Sequence, residues 1–192
     1  MKIRELQIIG SYLITNDVYP DSRGFFFEWF ERSALAENEI YFSVAQANFS
    51  TSAKSVIRGI HYSLAEKGQS KIILCSGGVI NDVIIDLRID SPTFLAIQKV
   101  SLTAESGRVL YIPSGVGHGF SVMSESASLT YLLTSEYSPD FEHTIHPLDN
   151  RLAIDWGLPE EESPQMSHRD SSAPSFDEAF LGNMLPKYIA RK

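Results

Sequence analysis

Arg58 and His61 lie in the segment V-I-R-G-I-H-Y, whose apolar residues have the spacing of a β-strand. A guanidinium and an imidazole are costly to bury unless they are paired or used in chemistry. An imidazole titrates near neutral pH and can transfer protons, although a lone histidine on an apolar strand is most often a hydrogen-bonded core residue. The residues that accompany His61 indicate which of these two roles it has.

Lys71 and two tyrosines are further candidates for chemistry. In K-I-I-L-C, Lys71 shares a strand face with Ile73 and Cys75, so its ammonium either reaches solvent at the strand start or is held by an anion. In Y-L-L-T-S-E-Y, the predicted strand puts the phenols of Tyr131 and Tyr137 on one face. Core packing with the hydroxyl at the rim is the commoner role of such tyrosines.

Polar residues near the N-terminus could bind a nucleotide. Arg23 and Glu28 enclose the aromatic run of D-S-R-G-F-F-F-E-W-F. A cation and a carboxylate beside aromatic faces suit a phosphate and a base, whereas without a ligand the segment is an edge strand with solvated charges. Gln46 and Asn48 add two amides on one strand face.

His118 lies in the phrase P-S-G-V-G-H-G-F, which is similar to a metal-ligand motif of small cupin-type β-barrels. The partner motif needs two histidines one residue apart with a nearby carboxylate, and this sequence offers only His61 at that position. His143 and His146 in H-T-I-H-P have no carboxylate in register. Because zinc and iron sites take three or four protein ligands, we expect no metal, and no nicotinamide signature is present either. The expectation is therefore that no cofactor is used.

The composition limits the classes of function. The chain of 192 residues has a net charge of -8, which argues against nucleic-acid binding and against an anionic membrane surface. The single cysteine, Cys75, allows no internal disulfide. Polar residues interrupt the N-terminal apolar run, so neither a signal peptide nor a membrane span is predicted, and we expect a cytoplasmic protein.

Many short β-rich runs, separated by turns and without βαβ alternation, predict an all-β sandwich or barrel in one domain. The predicted strands are Leu6–Ile14, Phe25–Trp29, Tyr41–Ser50, Val56–Tyr62, Lys71–Cys75, Val79–Leu87, Ala96–Leu102, Val109–Ile112, Phe120–Met123 and Ser128–Tyr137. A short helix is predicted around Phe30–Glu37, and another after Ser175, where Ser175 and Glu178 have capping-box spacing. Both faces of Val79–Leu87 carry apolar residues, so this strand needs cover on each side from a second layer or a partner subunit.

Eight phrases occur in a specific order along the chain. They are D-S-R-G-F-F-F-E, V-I-R-G-I-H-Y, Q-S-K-I-I, D-L-R-I-D-S-P-T-F, I-P-S-G-V-G-H-G-F, Y-L-L-T-S-E-Y-S-P, I-D-W and S-H-R-D. Together they closely resemble the dTDP-4-dehydrorhamnose 3,5-epimerases, from about residue 3 to about residue 186. The resemblance implies a metal-free cupin-type jelly roll with a few short peripheral helices, the C-terminal ones at about residues 170–186. It also implies a homodimer that shares N-terminal strands, and a dTDP-linked 4-keto-6-deoxyhexose as substrate.

The resemblance further implies a role for each candidate residue. His61 corresponds to the catalytic base, Asp170 to the carboxylate that orients it, Lys71 to the group that stabilises the enolate, and Tyr137 to the proton donor. The implied substrate-binding residues are Arg58, His118 and Tyr131 for sugar and diphosphate, Arg23, Phe25 and Glu28 for the nucleotide from the partner subunit, and Gln46, Asn48 and Arg169 for further contacts.

Inversion of C3 and C5 through an enolate, in dTDP-rhamnose biosynthesis, is the expected reaction. Related enzymes of antibiotic-sugar pathways invert only one of these carbons with the same core residues, and V-G-H-G is similar to some of them. A metal-dependent cupin oxygenase or isomerase and a non-catalytic carbohydrate-binding jelly roll are the remaining alternatives. Arg169 and Tyr111 stand where the family often has Lys and Trp, and both keep the charge or the aromatic face.

Overall fold

The computed structural model describes residues 1–64 and 68–190, which form strands and a few short helices. The strands are β1 Lys2–Glu5, β2 Tyr12–Thr15, β3 Tyr19–Asp21, β4 Gly24–Phe26, β5 Gln46–Ala53, β6 Ile57–Ser63, β7 Lys71–Gly77, β8 Val79–Asp86, β9 Ile97–Thr103, β10 Arg108–Ile112, β11 Val116–Val122, β12 Ser126–Leu133 and β13 Glu142–Thr144. The helices are α1 Arg32–Ala36, α2 His168–Ser171 and α3 Phe176–Leu181.

Two antiparallel sheets form a sandwich. The six-stranded sheet has the order β1-β2-β10-β7-β12-β5, and the five-stranded sheet has the order β13-β6-β11-β8-β9. The hairpin β3-β4 stands apart as a two-stranded sheet. The predicted all-β jelly-roll class is confirmed, and both main sheets remain open at their edges.

Three apolar clusters hold these layers together. The first fills the space between the sheets and includes Ile80 and Ile84 of β8. The second covers the outer face of the five-stranded sheet, where Val83 and Ile85 meet residues from the C-terminal part of the chain. The predicted cover on both faces of β8 is therefore confirmed, and it comes from the same chain. The third cluster packs Leu35 of α1 against the outer face of the six-stranded sheet.

Several predicted strands have other bounds in the structure. Those expected over Phe25–Trp29, Tyr41–Ser50 and Phe120–Met123 are observed as β4, β5 and β11. Of the strand expected over Leu6–Ile14, residues 12–14 belong to β2, and the residues before them form a turn closed by a hydrogen bond from Leu6 N to Ser11 O. Gly10 has a φ of +80° in this turn, a conformation that glycine adopts without steric cost. The strand expected over Ser128–Tyr137 ends at Leu133, because β7, its neighbour, begins at Lys71 and offers no ladder beyond that pair.

The helices are short and locally capped. Ser175 and Glu178 form the predicted capping box at the start of α3, each side chain bonding to the other's backbone N–H. Ser167 caps α2 by accepting a hydrogen bond from the backbone N–H of Asp170. Within the residues that the structure describes, no helix is long and apolar enough to cross a bilayer.

Candidate active site

A cleft between the two sheets gathers most of the predicted functional residues. It has two adjoining parts, of about 500 Å³ and about 610 Å³, which share His61, Lys71 and Tyr131. Nine of the predicted residues line it: Gln46, Asn48, Arg58, His61, Lys71, His118, Tyr131, Tyr137 and Arg169. Asp170 lies directly behind His61, to which it is hydrogen-bonded. We call this space the cleft below.

A β-bulge in β6 brings Arg58 and His61 to the same wall of the cleft. Residues three apart on a regular strand point to opposite faces, so the plain alternation would separate them. In the pairing with β11, His61 lies opposite His118 and Arg58 lies opposite Phe120, which leaves one extra residue on β6. That insertion shifts the alternation, so both side chains face inward.

Gly59 makes this bulge possible, and its replacement by alanine tests the point. Gly59 has a φ of +138°, and a Cβ there would lie 2.6 Å from Gly119 Cα. Gly24 is a matched control, because its φ is +136° and an added Cβ would meet nothing within 4 Å. We expect Gly24→Ala to cost about 1–3 kcal/mol in unfolding free energy from backbone strain alone. Gly59→Ala should cost about 1–3 kcal/mol more from the clash.

Urea unfolding of the two variants measures this difference. Equal losses of stability in Gly59→Ala and Gly24→Ala would show that the close approach of β6 and β11 does not depend on glycine.

His61 and Asp170 form a hydrogen-bonded pair. His61 Nε2 lies 2.7 Å from Asp170 Oδ1, and the Asp170 side chain is 4% exposed. Burial lowers the pKa of His61 despite the opposing attraction of Asp170. Burial pushes the pKa of Asp170 upward, but hydrogen bonds from His61, Ser167 and the Gly59 backbone bring it below its usual value. At neutral pH the pair is thus a carboxylate and a neutral imidazole whose Nδ1 is available as a base.

Lys71 projects into the cleft from the first position of β7. It is buried, and it shares the inward face with Ile73 and Cys75, as predicted. Among the described residues, no carboxylate lies within ion-pair distance of its ammonium. Burial lowers the pKa of Lys71, while the charges of Glu142 and Asp82 oppose that shift. A buried ammonium facing a cleft can stabilise an anion that binds or develops there.

The phenols of Tyr131 and Tyr137 both line the cleft, but only Tyr131 lies on a strand. Tyr131 lies on β12 opposite Ile73, packs against the core between the sheets and lines both parts of the cleft. Tyr137 lies beyond the end of β12, is 55% exposed and lines only the larger part. Its backbone N–H donates to Gln46 Oε1 at 2.7 Å. The expectation that both tyrosines share one strand face is therefore wrong, because the strand ends before Tyr137.

The amides and cations at the rim are held by neighbouring polar groups. Gln46 Nε2 donates to Asn48 Oδ1 at 2.8 Å, so both amides stand on one face of β5 as predicted. Arg58 Nε donates to Ser52 Oγ at 2.9 Å. Arg169 Nε donates to Thr144 Oγ1 at 3.1 Å. These four donor-rich side chains line the cleft, a suitable lining for phosphate oxygens.

Three predicted nucleotide contacts lie away from the cleft of their own chain. Arg23, Phe25 and Glu28 are absent from its lining. The Arg23 side chain is 88% exposed and pairs with Asp21 in the hairpin β3-β4. Phe25 stacks on Phe27, with 6.0 Å between ring centroids. Within one chain, these residues do not join the site.

The structure also places residues in the site that the sequence reading did not select. Asp82 is fully buried and lies 2.9 Å from His118 Nε2 through its Oδ2. Gln69 and Glu142 line the larger part of the cleft. The only sequence signal for Asp82 is its position on the inward parity of β8, between Ile80 and Ile84.

No group of three or more His, Cys, Asp or Glu side chains in residues 1–64 and 68–190 is arranged to hold a metal ion. His143 instead stacks on Tyr62, and His146 Nδ1 accepts the Leu148 backbone N–H. The side chains that line the cleft include two imidazoles, an ammonium and two phenols.

The chain is similar to known proteins in both sequence and structure. The sequence model of the dTDP-4-dehydrorhamnose 3,5-epimerases matches residues 5–178. A dTDP-4-dehydrorhamnose 3,5-epimerase from Mycobacterium tuberculosis is 38% identical over 98% of this chain and 94% of its own. A dTDP-4-dehydrorhamnose 3-epimerase from Streptomyces niveus is 40% identical over 98% of this chain and 90% of its own.

A solved structure extends the similarity to the fold. It is the dTDP-6-deoxy-D-glucose-3,5-epimerase of Legionella pneumophila in complex with dTDP-4-keto-L-rhamnose. The two structures agree with a TM-score of 0.90 at 38% identity, covering 98% of this chain and 99% of the other. The match spans the whole sandwich and the cleft within it. This protein belongs to the dTDP-4-dehydrorhamnose 3,5-epimerase family, a family of isomerases.

Proposed function

We propose that the protein inverts C3 and C5 of a dTDP-4-keto-6-deoxyhexose, giving dTDP-4-dehydrorhamnose for deoxysugar biosynthesis. The observation that carries this proposal is the hydrogen-bonded His61–Asp170 pair, whose imidazole lines the same cleft as the buried Lys71 side chain. A base and a cation in that arrangement suit proton abstraction next to a ketone. The relatives named above act on the same class of sugar nucleotide.

In the first step His61 Nδ1 takes the proton from C3 or C5. Both carbons flank the C4 ketone, so the C–H bonding electrons form a C=C bond and the carbonyl electrons move to O4. Lys71 lies where an ammonium can stabilise the resulting enolate oxygen, because burial removes competing water. Asp170 keeps the Nε2–H tautomer of His61 and stabilises the imidazolium that forms.

In the second step a phenol returns a proton to the opposite face of the same carbon. The enolate collapses to the ketone, and the phenolate and imidazolium exchange their protons with solvent before the next turnover. The family resemblance assigns this donor role to Tyr137. Tyr131 is the second candidate, because it is the phenol held on a core strand beside both His61 and Lys71.

Proton exchange with D₂O tests the proposed function directly. Incubation with dTDP-4-keto-6-deoxyglucose should place deuterium on both C3 and C5. Deuterium at a single carbon would identify a one-position epimerase, the second candidate, which the similarity to the Streptomyces niveus enzyme favours. Activity lost to a chelator and restored by iron or manganese would instead support a metal-dependent enzyme. A chain that catalyses no exchange would be a binding protein.

Tyr137→Phe is expected to retain deuterium exchange while losing epimerised product by about 10²–10⁴-fold, because removal of a positioned acid affects only the reprotonation step. Tyr131→Phe is the matched variant, since it removes one phenol from the same cleft. The measurement is the ratio of label incorporation to inverted product by NMR. Normal product formation by Tyr137→Phe, together with exchange uncoupled from inversion in Tyr131→Phe, would transfer the donor role to Tyr131.

We further propose a homodimer in which the hairpin β3-β4 of each subunit completes the nucleotide site of its partner. Two observations support this. Arg23, Phe25 and Glu28 carry the family's nucleotide phrase yet lie outside their own cleft. The same hairpin exposes Tyr19, Phe25 and Phe26, and grouped exposed aromatics are typical of an interaction surface. The expected cytoplasmic location stays a prediction.

Subunit complementation tests this exchange. His61→Ala lacks the base, and Arg23→Ala should lose roughly 10–100-fold in kcat/KM through a missing charge-assisted phosphate contact. Unfolding and refolding an equal mixture yields hybrids in half of the dimers, each with one intact site. We therefore expect about one quarter of wild-type activity. Arg108→Ala, an exposed control on β10, should behave as wild type alone. Activity that only equals the average of the two separate variants would place Arg23 in the site of its own subunit.

A further inference from the structure

The structure contains a second imidazole–carboxylate pair beside the His61–Asp170 pair. His118 on β11 lies directly opposite His61 on β6 in the sheet register, so their side chains are neighbours on one wall. Each imidazole meets a buried carboxylate through Nε2: His61 meets Asp170 at 2.7 Å, and His118 meets Asp82 at 2.9 Å. Both imidazoles line the cleft, and neither carboxylate does.

The burial of the Asp82 carboxylate at this position lowers the stability of the fold. It is 0% exposed on the inward face of β8, among the aliphatic side chains between the sheets. Its Oδ2 contacts His118, but its Oδ1 has no hydrogen-bond partner among the described residues. A buried carboxylate in which one oxygen accepts no hydrogen bond destabilises a fold compared with an apolar or amide side chain. A purely structural role therefore accounts poorly for this side chain.

We infer that Asp82 is a positioning residue for catalysis, which holds the His118 ring with Nε2–H on the carboxylate and Nδ1 presented to the sugar. This inference rests on the proposed function. Among the described residues, the ring has a hydrogen-bond partner at Nε2 alone, and the His118 side chain is 10% exposed. Because His118 pairs with His61, it contacts the sugar end of the cleft, where the ketone must lie for proton abstraction.

The electrostatic interactions of Asp82 also support its assignment as a positioning residue. Asp82, on β8 of one sheet, interacts electrostatically with Lys71, on β7 of the other. Burial raises the pKa of Asp82, and the charges of His118 and Lys71 oppose this shift. Asp82 thus interacts with two groups that line the cleft without lining it itself. Its removal should leave the cleft's shape unchanged and alter only the groups in front of it.

The isosteric variant Asp82→Asn tests the inference by kinetics. We expect kcat/KM for dTDP-4-keto-6-deoxyglucose to fall about 10–100-fold, the usual effect of losing an orienting partner. The affinity for dTDP, which lacks the sugar, should stay within about two-fold. In a His118→Gln background the same substitution should have no further effect, because Asp82 acts through that ring. Fully additive losses, or an equal loss of dTDP affinity, would overturn the assignment.

Asp86→Asn is the matched control. Asp86 is also fully buried on the same strand and parity, but its partner is Arg88, 2.7 Å away and outside the cleft. Asp86→Asn should lower the thermal midpoint and leave kcat/KM of the folded enzyme within about two-fold, whereas Asp82→Asn should leave the midpoint within about 3 °C or raise it. The reverse pattern would make Asp82 a structural residue.

A tautomer measurement keeps the inference testable if Asp82→Asn does not fold. In the wild-type enzyme labelled with ¹⁵N-histidine, the His118 resonances should show a proton on Nε2, with and without dTDP. A proton on Nδ1 alone would contradict the inference. Failure of wild-type epimerisation would instead refute the proposed function, which this spectrum does not test.

Discussion

Replacing His61 by alanine is expected to abolish deuterium incorporation at both C3 and C5. One base serves both carbons in the proposed mechanism, because His61, hydrogen-bonded to Asp170 at 2.7 Å, is the imidazole that lines both parts of the cleft. General-base catalysis contributes about 10²–10⁴-fold, so turnover should fall by that factor or more. Mass spectrometry of the recovered sugar nucleotide in D₂O measures the exchange.

His143→Ala is the control for this result. His143 stacks on Tyr62, does not line the cleft, and its loss should leave exchange unchanged. The outcome that contradicts the assignment is specific. Exchange that persists at one carbon in His61→Ala would mean that a second base, with His118 as the first candidate, serves that carbon. Exchange that persists at both would remove His61 from the mechanism.

The fold could be predicted from the sequence wherever side-chain alternation is strong. The two-sided apolar pattern of β8 and the inward parity of Lys71 both follow from the period of a strand. The turn before β2 and the early end of β12 could not, since individual backbone hydrogen bonds, one local and one to a distant segment, decide them. Leu6 bonds across its turn to Ser11, and Thr134 bonds to Ser70 of a different segment.

The site could be predicted only where a residue type is unusual for its surroundings. A histidine and a lysine are unusual on apolar strands, so both are candidate site residues. The family resemblance predicts that they belong to one site. Asp82 could not be predicted as a site residue. In a sequence, an aspartate between aliphatic residues of a strand is indistinguishable from an exposed aspartate, because the position of the opposite sheet is unknown. The bulge at Gly59 is equally hidden, since Arg58 and His61 have the wrong spacing for one face of a regular strand.

The nucleotide contacts show a different limit. The sequence places Arg23 and Glu28 in one phrase, but the folded chain holds that phrase outside its own cleft, on the hairpin β3-β4 and the residues that follow it. In the proposed mechanism a single subunit therefore carries the base, the enolate-stabilising ammonium and the sugar wall of the site. The proposed nucleotide contacts come from a second subunit, which the sequence of one chain specifies only indirectly.

Lys71→Met should separate catalysis from stability. Methionine keeps the length of the side chain and removes the charge, so transition-state stabilisation at O4 is lost and kcat should fall about 10²–10³-fold. Burial lowers the pKa of Lys71, which means that the folded state disfavours its charge. The variant should therefore be as stable as the wild type or more so, a trade-off common at active sites.

Lys99→Met provides the comparison, because Lys99 is a half-exposed lysine that pairs with Asp155 away from the cleft. It should keep wild-type kcat and change stability by no more than about 1 kcal/mol, as exposed ion pairs do. Deuterium exchange and thermal unfolding of both variants give the two quantities. A Lys71→Met enzyme that exchanges deuterium at the wild-type rate would show that the ammonium does not stabilise the enolate. A large loss of stability would show instead that the ammonium is a structural counter-ion for Asp82.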